Sequence, residues 1–141
     1  MEALRERPIG LDAPSDAPGS GKTIVVADDE DTLLHLLRFR LERDGHRVIT
    51  VSDGQAALEA IHEHRPDLCV LDVMMPKLGG LELLQLLREA PETADTRVIL
   101  LTARGQEVDL DRGFDAGTDD YITKPFSPQE LRQRVRTQLN R

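Results

Sequence analysis

The chain is poor in cysteine, in long apolar runs and in excess positive charge. Its single cysteine, Cys69, excludes an internal disulfide and points to a reducing cytoplasm. Cys69 lies within an apolar run, where it reads as a small buried hydrophobe rather than a reactive thiol. No uncharged apolar stretch is long enough to span a bilayer, and the first residues lack the apolar core of a signal peptide. No membrane attachment is therefore expected. The formal net charge of −8 argues against direct nucleic-acid binding by this segment and suits a divalent cation.

What remains is an ordinary globular composition, 39% hydrophobic and 31% charged in 141 residues, enough for one domain with its own core. Residues 1–22 hold Pro8, Pro14 and Pro18 with Gly10, Gly19 and Gly21 and show no apolar periodicity, so they read as a flexible tail. The domain is expected over residues 23–141.

From Thr23 onward, strand and helix patterns alternate. Strands are predicted at 23–28, 46–51, 68–72, 97–101 and about 120–123. Helices are predicted at about 31–44, from a cap at Ser52 or Asp53 to His64, at about 81–89, near 107–116, and from a Ser127-Pro128 start to the end. Such alternation makes a parallel sheet with helices on both faces.

Several of these apolar runs end in polar residues. Asp28 and Asp29 follow the first, Asp72 ends the third, Thr102 ends the fourth and Lys124 ends the fifth. Polar groups at the C-terminal ends of several strands are how an open α/β sheet builds a site. Should the first and third strands be neighbours, Asp28, Asp29 and Asp72 would share one crevice. There their charges would raise one another's pKa values and call for a cation.

Four segments in this order resemble the receiver domain of two-component response regulators: Val26-Ala27-Asp28-Asp29-Glu30, Leu71-Asp72-Val73-Met74-Met75-Pro76, Leu101-Thr102-Ala103 and Tyr121-Ile122-Thr123-Lys124-Pro125-Phe126. The resemblance covers about residues 23–139. It implies a doubly wound, flavodoxin-like fold of five parallel strands in the order 2-1-3-4-5 with five helices. It implies that Asp72 accepts a phosphoryl group from a histidine kinase or phosphotransfer protein. Asp28, Asp29, Asp72 and the backbone carbonyl of Met74 would hold Mg²⁺, and Lys124 would pair with the phosphoryl oxygens. Thr102 and Tyr121 would form the switch, Lys124-Pro125 would be a cis peptide, and Met74 and Arg104 would flank the pocket.

The segment Arg112-Gly113-Phe114-Asp115-Ala116-Gly117-Thr118-Asp119-Asp120-Tyr121 is similar to the winged-helix transcription-factor branch of that family. That branch implies a homodimer on phosphorylation through helix four, strand five and helix five. Its charged residues here are Arg112, Asp115, Asp119, Arg134 and Arg136. The last helix sets Glu130 against Arg132, Arg134, Arg136 and Arg141, and a solvated charged face is the plainer reading of it. Asp111 stands where relatives carry an inward apolar residue and Leu110 where they carry a polar one, so helix four is expected to be loosely held or shifted in register. The branch would continue into a DNA-binding domain, so the chain reads as a stand-alone receiver or a fragment of a longer regulator.

Other readings fare worse. Gly19-Ser20-Gly21-Lys22-Thr23 resembles the end of a P-loop, but Asp16 stands where the pattern needs glycine, and the segment precedes a strand rather than following one. An aspartyl phosphatase would need a second acid two residues after Asp72, where Met74 stands. A pseudo-receiver would lack a pocket residue, and none is missing. His35, His46, His62 and His64 read as surface or strand-end residues rather than phosphodonors.

Overall fold

In the computed structural model, residues 21–103, 105 and 108–140 are described. Residues 1–20 of the expected tail, the start of the P-loop-like segment, Arg104, Arg141 and the Leu110 side chain lie outside the described residues.

The strands are β1 (Thr23–Ala27), β2 (Arg47–Val51), β3 (Leu68–Asp72), β4 (Arg97–Ala103) and β5 (Asp120–Lys124). The helices are α1 (Asp31–Arg43), α2 (Gly54–His64), α3 (Gly80–Glu89), α4 (Val108–Ala116) and α5 (Pro128–Leu139). All strand pairs are parallel, in the order β2-β1-β3-β4-β5. This is the 2-1-3-4-5 order that the resemblance implies, with β1 and β3 adjacent.

Alternation along each strand splits the core into two layers. Val25, Cys69, Leu71 and Leu100 face Ala57 and Ile61 of α2 and Leu83, Leu84 and Leu87 of α3. Ile24, Val26, Val70, Ile99 and Leu101 face Leu34, Leu37 and Leu41 of α1 and Leu131 and Val135 of α5. The central strand β3 is buried at every residue, as a strand covered on both faces must be. Burial pushes the Cys69 thiol up to about 12, so it stays an inert thiol.

Local signals account for the element ends. Asp53 caps α2, its carboxylate accepting from Ala56 N–H at 2.8 Å. Ser127 caps α5 by accepting from Glu130 N–H at 3.0 Å, with Pro128 in the first turn. Gly45 adopts φ +94° after α1, a left-handed conformation costly for other residues.

Some boundaries differ from the sequence expectation. β1 stops at Ala27, leaving Asp28 just past the strand. β4 runs on to Ala103 because β5 pairs with it as far as Ala103↔Lys124. The Asp111 side chain is exposed rather than inward. α4 packs on α3 and β4, Ala116 reaches the core, and Phe114 stays 52% exposed. No helix among the described residues is long and apolar enough to cross a membrane.

Candidate functional site

The strand order brings the C-terminal ends of β1, β3, β4 and β5 to one edge of the sheet. Asp28 is fully buried just beyond β1, and Asp72 is 5% exposed at the tip of β3. Asp29 faces solvent, and one carboxylate oxygen from each of the three lies within 4.8 Å of the others. The loop after each strand holds its acid in place. Asp28 N–H donates to the Val51 carbonyl at 3.2 Å, and Asp28 Oδ1 accepts from Glu30 N–H at 2.9 Å. Val73 N–H donates to the Leu101 carbonyl at 2.9 Å, extending the ladder one residue past Asp72. Asp72 Oδ1 accepts from Met74 N–H at 3.3 Å.

Lys124 closes the cluster. Its Nζ lies 2.7 Å from Asp28 Oδ2, 3.3 Å from Asp72 Oδ2 and 3.8 Å from Glu30 Oε1. The contact with Asp72 is a directed hydrogen bond. The shorter one to Asp28 is an ion pair out of hydrogen-bond alignment, so buried Asp28 Oδ2 receives no directed donor. The peptide bond from Lys124 to Pro125 is cis.

These contacts set the charge states. Burial raises the Asp72 pKa to about 6; the Asp28 charge adds to the rise, and Lys124 opposes it. For Lys124, burial works against the charge, but the Asp28 carboxylate 2.7 Å away and the field of Asp72 outweigh it, and its pKa is raised. The site therefore holds more negative charge than one ammonium balances. Three hard oxygen donors, one of them buried without a directed donor, fit a hard divalent cation.

Thr102 is 2% exposed and pairs in register with Thr123, beside Lys124. Met74 is 58% exposed at the rim. Tyr121 is half-buried, packing on the core and meeting Phe114 edge to face at 5.4 Å between ring centroids. Asp28, Asp29, Asp72, Lys124, Thr102 and Met74 are thus gathered at one sheet edge.

The charged residues expected on the far face are placed differently from one another. Arg112, Asp115 and Arg136 are exposed. Asp119 turns inward: its Oδ2 accepts from Val98 N–H at 2.8 Å and from Arg88 at 3.1 Å. Arg134 reaches Asp120 Oδ1 at 2.8 Å and the Tyr121 carbonyl at 3.1 Å within the same chain. Arg132 makes a two-pronged pair with Asp44 at 2.8 and 2.7 Å, tying α5 to α1.

Sequence reasoning missed Glu30, Asp120, Arg88 and the tightness around Gly80. A Cβ on Gly80 would sit 2.5 Å from the Asp72 carbonyl oxygen, so α3 starts directly against the backbone of Asp72. The Gly79-Gly80 pair was its visible signal. Nothing in the sequence marked Arg88.

Residues 24–136 match the response regulator receiver domain family, and the chain belongs to it. It is a receiver domain of two-component response regulators. It is 47% identical over 120 residues to the alkaline phosphatase synthesis transcriptional regulatory protein PhoP of Bacillus subtilis, covering 85% of this chain and 49% of that one. The chain thus spans about half the length of the curated relatives it matches. Among solved structures, the receiver domain of a Francisella response regulator is 35% identical with a TM-score of 0.78, covering 85% of this chain and 98% of that one. The receiver domain of a sensor histidine kinase from Pseudomonas aeruginosa, solved with a magnesium ion coordinated in its active-site cleft, is 26% identical with a TM-score of 0.78. That match covers 86% of this chain and all of that one.

Proposed function

We propose that Asp72 accepts a phosphoryl group from a phosphohistidine on a histidine kinase or phosphotransfer protein in the cytoplasm. The chain would act as a signalling switch, catalysing only its own phosphorylation and slow loss of that group. The observation that carries this is the convergence of Asp28, Asp29 and Asp72 within 4.8 Å, with Lys124 bonded to Asp72 at 3.3 Å.

An Asp72 carboxylate oxygen attacks phosphorus in line with the donor nitrogen. The new O–P bond forms as the P–N bond breaks, and the imidazole leaves with the electron pair. Asp28, Asp29, Asp72 and the Met74 carbonyl would hold Mg²⁺, which when bound offsets the charge on the transferring group. Lys124 then exchanges part of its contact with Asp72 for a phosphoryl oxygen, and the Thr102 hydroxyl donates to another. Tyr121 follows Thr102 inward, away from Phe114, and biases the α4–β5–α5 face between two arrangements. A homodimer through that face, using Arg112, Asp115, Asp119, Arg134 and Arg136, is the output. An apolar groove beside Lys124, lined by Leu33, Leu36, Pro125 and Phe126, offers the phosphodonor a place to dock.

Residues 23–141 form the receiver in this reading and 1–22 a tail. The test is intact-mass measurement after incubation with Mg²⁺ and acetyl phosphate. Wild type should gain one phosphoryl group and Asp72→Asn none. Phosphorylation of Asp72→Asn at the wild-type rate would sink the reading.

A further inference from the structure

The loop after Asp72 is braced from the side by the first turn of α2. Gly54 opens that helix, is buried, and donates its N–H to the Pro76 carbonyl at 3.3 Å. A Cβ on Gly54 would sit 1.8 Å from the Leu78 carbonyl oxygen and 2.6 Å from Leu78 Cβ. Glycine is needed here for space, because the loop backbone lies directly on Gly54. The loop is a tight structure in itself. Leu78 N–H donates to the Pro76 carbonyl at 2.7 Å, and Lys77 adopts φ +71°. Lys77 Nζ lies 3.8 Å from Asp53 Oδ2, on the residue that caps α2. The helix is in turn fixed by the buried side chains of Ala57 and Ile61.

We propose that Gly54 is a positioning residue for the acceptor loop. It sets where Pro76–Leu78 rest. Through them it sets the Met74 carbonyl relative to the oxygens of Asp28, Asp29 and Asp72. The inference rests on the Mg²⁺ reading above. It acts on binding because a carbonyl ligand on a displaced loop no longer meets the other ligands.

Calorimetric titration of Mg²⁺ into the full chain is the test. Gly54→Ala should bind Mg²⁺ about tenfold more weakly or worse, the usual consequence of disturbing the support of a metal ligand. Ala60→Gly, which weakens the same helix away from the loop, should keep the wild-type affinity. Leu78→Ala loosens the loop from its own side and should also weaken binding; it decides the matter if Gly54→Ala does not fold. Wild-type affinity in Gly54→Ala, or in Leu78→Ala where that variant decides, overturns the inference alone. So does an equal loss in Ala60→Gly, which would make the effect one of stability. A wild type that takes up no Mg²⁺, or whose uptake is unchanged by Asp29→Ala, overturns the metal reading, and this inference with it.

Discussion

Asp72 is folded into a place that disfavours its own charge. Burial and the Asp28 carboxylate hold its pKa at about 6, against an ordinary value of 3.8. The folded protein therefore keeps this proton at pH values where the unfolded chain has released it. Stability from this group is full below the ordinary value and is lost as pH rises through about 6. With divalent cations chelated, Asp72→Asn should be more stable than wild type by about 1–2 kcal/mol at about pH 8, with the gain fading at about pH 4. Urea melts at the two pH values check this, and a gain that grew toward acid would contradict it. Lys124 works in the opposite sense. Lys124→Met leaves two buried acids facing each other and should cost about 2–4 kcal/mol at neutral pH. It should also move the Asp72 titration, followed by carboxyl NMR, to higher pH.

At the scale of elements, the site depends on how helices begin and on how loops are tied. α3 starts at Gly80 because its first turn lies on the Asp72 carbonyl, where a Cβ would stand 2.5 Å away. Arg88, near the end of α3, ties three segments together. It donates to the carbonyls of Thr96 and Gly117 at 2.7 and 3.0 Å and to Asp119 at 3.1 Å. Asp119→Ala should therefore lower folding stability by about 1–2 kcal/mol, since it leaves the Val98 N–H without its acceptor and removes one of the three acceptors of Arg88. Chemical denaturation measures it; an unchanged midpoint would show that the tie carries no weight. The Asp44–Arg132 pair links α1 to α5 and has its own pH signature. The Arg132 hydrogen bond outweighs partial burial and holds the Asp44 carboxyl below its ordinary value of 3.8. Its contribution is present above that value and lost as pH falls through the lowered one. Arg132→Ala should cost about 1 kcal/mol at neutral pH, because the pair is only partly buried and keeps contact with solvent. The cost should disappear in strong acid.

For the whole molecule, the question is what the α4–β5–α5 face does. Arg134 and Asp119 are already engaged within the chain, whereas Asp115 and Arg136 are exposed. Light scattering with Mg²⁺, before and after adding beryllofluoride as a phosphoryl mimic, should show a shift from monomer to dimer. Arg136→Ala should then weaken the dimer more than Asp119→Ala does, because Asp119 is committed to Arg88. A mimic-bound monomer would direct the switch face to a different protein.

The sequence by itself determined the alternation of strands and helices, the strand-end positions of Asp28, Asp72, Thr102 and Lys124, the cap at Ser127, and a cap at Ser52 or Asp53 that the structure resolves to Asp53. Apolar period and capping chemistry are local, so they are written in consecutive residues. The family resemblance supplied the strand order. Only the tertiary structure decided that Asp119 turns inward and that Arg134 is bound to Asp120. It alone placed Gly54 and Gly80 against the backbone of the loop that follows Asp72. Those outcomes depend on distances between residues far apart in the chain, set once the sheet order brings β3, α2 and α3 together. A charged side chain carries no local mark of whether its partner lies in the same chain, in solvent or in a second copy. That choice is made by packing.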